Sequence, residues 1–206
     1  MSVLTFDHVT SSQLVVDDLT IDNGQWIGIE SLTTDERQEF LSLTMGLHRP
    51  THGTVQLLQT DLSDLEPDDA ARFRAEHIGI VFPGLNLVPH LSLRENVLYA
   101  ARLTDSATAQ QRTEQLLEAV GLSDQRHARP ESLRDEQLFP AAIARAMVNE
   151  PELLVINCPT IELDDYPSVT ELIRSCAVIS AAPTRLTDQQ LAVVDGHLVQ
   201  PTTPEH

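Results

Sequence analysis

Residues 26–55, WIGIESLTTDERQEFLSLTMGLHRPTHGTV, decide the fold. Trp26, Ile27 and Ile29 form an apolar run of buried-strand type, and Phe40, Leu41, Leu43, Thr44 and Leu47 recur afterwards at helical spacing. A polar turn separates the two. Strand, tight turn and helix N-terminus is the arrangement that cradles nucleotide phosphates when the turn reads G-x-x-x-x-G-K-[ST], because backbone amides and the helix dipole meet the anion there. Here the turn is Ser31-Leu32-Thr33-Thr34-Asp35-Glu36-Arg37-Gln38, with no glycine, no lysine and two acids. Taken by themselves, these residues predict an ordinary helix start with Thr34 or Asp35 as N-cap and acids in the first turn.

Composition narrows what the turn can serve. The chain has 206 residues, enough for one α/β domain with its own core. Its net charge of -18 comes from 31 acids against 13 basic residues, and every basic residue is an arginine. A phosphate-loop lysine is therefore excluded in any register. An acidic surface without a basic cluster argues against nucleic-acid binding, which needs concentrated Lys or Arg against phosphates. Cys158 and Cys176 lack metal-type spacing, so neither a disulfide framework nor a metal site is expected. No apolar run approaches the roughly 20 residues needed to span a bilayer, and the start MSVLTFDHVT has no signal-peptide shape. A soluble, cytoplasmic protein is expected.

Strands are expected at 3–6, 14–16 and 19–21, then at 53–58 after the turn at Asp22-Asn23-Gly24. A helix over 64–76 is predicted to point Leu65, Ala70, Ala71 and Phe73 inward, before a β-branched strand over 77–82. Residues 94–150 read mostly as helices. One of them is capped by Asp105 or Ser106, carries Leu116, Leu117 and Val120 on its inner stripe, and ends at Gly121. A buried strand and turn follow over 153–160 and a strand at 177–180, separated by a helix of about two turns over 168–174. Residues 191–199 form a closing hairpin. One domain over 1–200 is expected, with 201–206 a flexible tail.

The text around the turn, GQWIGI at 24–29 and GLHRPTHGTV at 46–55, resembles the ATP-binding subunits of ABC transporters, nearest to the lipoprotein-release, macrolide-efflux and cell-division branch. The resemblance spans about residues 3–199. It implies an α/β P-loop NTPase fold of ABC type, with an antiparallel β-subdomain, a mixed central sheet and a helical subdomain at about 94–150. It also implies ATP and magnesium as ligands, a membrane permease as partner, and either an intact ATPase subunit or a second copy as companion.

Residue by residue, the chemistry implied by that family is missing. Its phosphate-loop glycines fall at Ser31, Thr34 and Glu36, its lysine at Arg37 and its hydroxyl at Gln38, with Asp35 between. Thr10, Ser11, Ser12 and Gln13 occupy the interval where a ring would stack on adenine. The metal-side glutamine corresponds to Pro83, which has no side-chain amide and no N–H. The signature corresponds to Arg134, Asp135 and Glu136 followed by Gln137, and its helix is expected to start late, near Phe139 or Pro140, because proline suits a first turn. The magnesium aspartate corresponds to Asn157 and the general base to Cys158, which reads as a small apolar filler. The switch histidine corresponds to Ala182. What remains is the docking loop of Leu85, Asn86, Leu87, Val88 and Leu91, and a dimer-contact pair at Leu163 and Asp164.

The replacements have the wrong sign as well. A carboxylate about 5 Å from a phosphate charge costs roughly 3 kcal/mol per pair at an effective dielectric near 20. The sequence therefore reads as a pseudo-ATPase that binds neither ATP nor magnesium, peripheral on the inner membrane face through a permease. Two alternatives stand beside it: a weak or partner-assisted ATP-binding subunit, and a free-standing regulatory protein whose vacant cleft takes another, cationic, ligand.

Overall fold

Alternation along the buried strands sets the architecture, which a computed structural model describes for residues 1–29, 31–102, 108–182 and 184–200. The chain opens with β1 (Ser2–Thr10) and β2 (Val15–Asp22), and β3 (Trp26–Gly28) turns into α1 (Thr34–Thr44). Next come β4 (His52–Leu57), β5 (Thr60–Asp61), α2 (Pro67–His77) and β6 (Ile78–Val81). The helices α3 (Leu93–Ala101), α4 (Ala109–Ala119) and α5 (Asp135–Ala146) precede β7 (Leu153–Ile156), α6 (Pro167–Ile173) and β8 (Ala177–Ser180). Short strands β9 (Gln189–Gln190), β10 (Ala192–Val194) and β11 (His197–Val199) follow.

Two sheets result. One has the order β10-β11-β2-β1-β4-β5, antiparallel except for a parallel contact between β11 and β2. The other has the order β6-β7-β8-β3-β9, with every pair parallel. A parallel sheet needs both faces covered, and the period of two divides its side chains between two cores. Ile27, Leu153, Val155, Ala177 and Ile179 join the core shared with the six-stranded sheet and α1, where Phe40 stacks on Phe6 at 5.4 Å. Trp26, Leu154, Ile156 and Val178 face the other way, into the core built with α3, α4, α5 and α6. The C-terminal ends of β6, β7 and β8 thus open beside the start of α1. In α/β folds, this is where ligands bind.

Several boundaries differ from expectation. The strands expected at 14–16 and 19–21 are one strand, β2, because the exposed Asp17 and Asp18 interrupt the apolar pattern without interrupting the ladder to β1. α2 starts at Pro67, whose fixed φ suits the first helical position, and residues 62–64 form a separate 3-10 turn capped by Asp61. Ala71 is consequently exposed rather than inward. Asp105 and Ser106, and the tail 201–206, lie outside the described residues; α4 has Thr108 at its N-cap position. Gly121, at φ +76, ends the α4 region as expected. No helix among the described residues is long and apolar enough to cross a membrane.

Candidate functional site

The start of α1 is closed by its own side chains. Thr33, not Thr34 or Asp35, is the N-cap: its hydroxyl accepts from the Glu36 N–H at 3.4 Å, and the Glu36 carboxylate accepts from the Thr33 N–H at 2.8 Å. This is a reciprocal capping box, and Thr33-x-x-Glu36 already encodes it in the sequence. Two amide donors at the helix end are thereby occupied, and a carboxylate sits at its positive pole. The Ser31 hydroxyl donates to the Leu191 carbonyl. Arg37 turns one N–H back onto the Leu32 carbonyl at 3.3 Å.

Arg134, Asp135 and Glu136 open α5, which begins a turn earlier than expected and carries Pro140 inside it. Proline at the sixth helical position forfeits the one bond to the Glu136 carbonyl. Wholly buried Phe139, Ala142 and Ile143 hold the same turn in place and outweigh that loss. The Arg134 guanidinium is paired with Glu136 at 3.0 Å, both side chains exposed, and the Gln137 side chain accepts the Arg134 N–H at 3.1 Å.

At the strand ends, the Asn157 N–H donates to the Val81 carbonyl at 2.9 Å. Its side-chain Oδ1 is buried and has no hydrogen-bond partner among the described residues. The Cys158 thiol is buried, donates to the Phe82 carbonyl at 3.3 Å, and is pushed up to about 11 by burial, so it stays protonated and inert near neutral pH. Ala182 is buried in a closed turn: its N–H donates to the Ser180 hydroxyl at 3.1 Å, and that hydroxyl donates to the Ala182 carbonyl at 3.0 Å. Leu163 is buried, while Asp164 accepts from the Thr184 hydroxyl at 2.6 Å.

A cleft of about 430 Å³ brings some of these positions together. Thr34, Arg37 and Gln38 line it from α1, Pro83 from the turn after β6, and Asn157 from the end of β7. Ser31, Asp35, Glu36, Cys158, Ala182 and the Arg134 to Gln137 group lie outside its lining. Among the described residues Arg37 is the only charged residue that lines it, which does not favour a cation there. Asn157 and Gln38 stand where the resemblance expects a metal-holding carboxylate and a hydroxyl, and the helix end already carries Glu36. A second groove of about 280 Å³ adjoins the cleft and shares Met45, Leu47, Ile80 and Phe82 with it.

The loop after Pro83 is tightly built. Leu85 and Asn86 adopt left-handed backbone at φ 56 and 48, and the Arg145 guanidinium donates to both of their carbonyls, to Leu85 at 2.8 Å. Buried Asn96 accepts from the Val88 N–H at 2.7 Å and donates towards the carbonyls of Val88, Leu91 and Ser92 at 3.0–3.2 Å. Leu85 and Leu87 are half-buried against the helical core, and Val88 and Leu91 are half-buried too. These four are therefore partly engaged by their own domain, while Asn86, Pro89 and His90 are exposed. The Ser92 and Glu95 side chains form a second capping box, and hydrogen bonds from the Ser92 N–H and hydroxyl hold the Glu95 carboxyl below its ordinary range.

Sequence reasoning missed Asn96 and Arg145 as organisers of this loop. A signal existed for Asn96, a lone amide between the core positions Leu93 and Val97. It also missed Asp7, His8 and Asp18, an exposed cross-strand group whose ligand atoms lie within 4.8 Å of one another, close enough to share a metal ion.

The family model of the ABC transporter matches residues 39–160. The macrolide export ATP-binding/permease protein MacB of Burkholderia thailandensis is 36% identical over 73% of this chain and 24% of that protein. The uncharacterized ABC transporter ATP-binding protein YknY of Bacillus subtilis is 35% identical over 73% of this chain and 66% of that protein. The chain thus spans about a quarter of the MacB relative. Among solved structures, the ADP- and Pi-bound dimeric ATP-binding cassette MJ0796 superposes with TM-score 0.76 at 22% identity, covering 95% of this chain and 96% of that one. Clostridium perfringens cbiO1, part of the transporter complex cbiONQ, gives 0.79 at 18% identity, covering 96% and 87%. These likenesses establish the fold.

Proposed function

The chain belongs to the ABC transporter family, and we propose that within it this is a pseudo-ATPase: a subunit that docks on a membrane permease and serves assembly or regulation without hydrolysing ATP. The observation that carries this reading is the Thr33/Glu36 capping box. It places the chain's own carboxylate where the family's phosphate loop meets its anion. One phosphate charge about 5 Å away would raise the energy by roughly 3 kcal/mol. Asn157 and Cys158 supply no carboxylate to hold a metal or polarise water, and Ala182 supplies no imidazole. The loop carrying Leu87 and Leu91, by contrast, is fully organised and adjoins the groove with exposed Leu47 and Phe82, which supports permease docking from the cytoplasmic side.

A weak or partner-assisted ATP-binding subunit is the competing reading. The ATP-binding names of the relatives favour it, as does Arg37, a cation at the family's lysine position. Melting curves with and without millimolar magnesium-ATP separate the two, since a ligand specific for the folded state must stabilise it. No shift is expected, and a saturable rise in melting temperature overturns the pseudo-ATPase reading. The Leu87→Asp/Leu91→Asp double variant, still folded, should lose association with native membranes; unchanged association overturns docking and favours a free-standing regulator.

A further inference from the structure

We propose that the cleft between α1 and the Pro83 turn binds a small carboxylate amphiphile, with its head at Arg37 and Asn157 and its unbranched tail along Met45 and Phe82. The inference rests on the reading that nucleotide does not occupy this end of α1.

Size and polarity point to this class. At about 430 Å³ the cleft falls in the range of small-molecule sites. Its lining combines polar Arg37, Gln38 and Asn157 with apolar Met45, Leu47, Ile80 and Phe82, and these four apolar residues are shared with the adjoining groove. Phe82 remains 41% exposed and Leu47 57% exposed, so a tail seated against them removes apolar surface from water. The sign of the head follows from charge. In a chain of net charge -18, the described residues that line the cleft include one arginine and no acid. A guanidinium has five donors, and one of Arg37's is used on the Leu32 carbonyl. A single carboxylate matches that capacity, whereas a polyphosphate exceeds it and meets Glu36 beyond the cleft.

Asn157 adds a second requirement. Its buried Oδ1 lacks a donor, an expensive state for a polar atom. A ligand with an N–H a few bonds from its carboxylate answers both groups at once, as an N-acyl amino acid does.

The test uses the full chain and N-octanoylglycine, kept below its micelle concentration, in titration calorimetry. Its methyl ester serves as a chargeless probe, and Arg37→Gln and Asn157→Leu are the variants. Saturable one-site binding is expected, weakened about tenfold or more by Arg37→Gln and by the ester, and weakened also by Asn157→Leu. Absence of saturable binding at millimolar probe overturns the proposal, as does binding that neither Arg37→Gln nor the ester weakens. The ester comparison is made on the unaltered chain, so a variant that fails to fold does not decide the result. A parallel titration with magnesium-ATP keeps the two readings apart. Probe binding that ATP displaces overturns both the loss of nucleotide binding and the proposal that rests on it; absence of both ligands overturns the cleft assignment alone.

Discussion

Two turns of this molecule follow strands of the same parallel sheet and run into helices that open with the same device. After β3, residues 31–33 lead to the Thr33/Glu36 box of α1; after β6, residues 82–91 lead to the Ser92/Glu95 box of α3. The first turn is closed by its own capping box, with the Ser31 hydroxyl reaching the Leu191 carbonyl. The second is held by Arg145 of α5, distant in sequence, and by nearby Asn96, whose one amide serves Val88, Leu91 and Ser92. Ordering each residue of a loop costs about 1–2 kcal/mol of backbone entropy, so a loop of that length keeps one shape only if buried partners offset the cost. The difference separates two kinds of information in an ABC-type chain. The helix end after the first turn carries its own carboxylate, while the groups that shape the second turn are paired with one another.

The comparison breaks most easily at Asn96. Replacing it with leucine leaves the Val88 N–H and several carbonyls without their partner in a half-buried loop, and should destabilise the protein by about 3 kcal/mol. Urea unfolding measures this, and a loss below about 1 kcal/mol would mean that the loop holds its shape without the amide. At the other turn, Thr33→Ala removes one half of a local cap and should cost about 1 kcal/mol by the same measurement. Equal losses at the two sites would erase the distinction between a turn closed by one capping box and a loop held by a buried amide.

Much of the framework was legible because it is written in short-range pattern. The apolar runs at 153–156 and 177–180 are strands, the two-turn α6 has the expected length, and Gly121 sits at the end of its helix. Two of the wrong boundaries share a cause: a local preference was overruled by packing. Pro140 lies inside α5 because the buried Phe139 and Ile143 anchor the turn, and β2 runs through Asp17 and Asp18 because β1 supplies the ladder. The site was half legible. Pro83, Asn157 and the 31–38 turn could be singled out from the sequence, but the cleft that brings Pro83, Asn157 and part of that turn together could not. It depends on how far α1 stands from the ends of β6 and β7, a distance that no sequence pattern encodes. Likewise, the Arg145 contact with Leu85 and Asn86 spans separations of 59 and 60 residues, far outside any local signal.

The smallest expected effect sharpens the picture of the second turn. The Glu95 carboxyl is held below its ordinary range first by the Ser92 N–H and then by the Ser92 hydroxyl, with Arg129 and Arg94 adding minor attraction. A carboxylate with a depressed folded-state pKa contributes stability above its unfolded value, and that contribution disappears as pH falls through the folded value. The α3 cap should therefore weaken only on the acid side of the ordinary value of 4.5. Carboxyl-carbon NMR follows the titration directly. Ser92→Ala removes the hydroxyl but keeps the N–H, so the Glu95 midpoint should rise part of the way back and no further. A complete return would place the control in the hydroxyl alone, and no movement would place it in the backbone amide and the arginines. Either result would separate the capping box from the loop it terminates, leaving Asn96 and Arg145 as the groups that hold that loop.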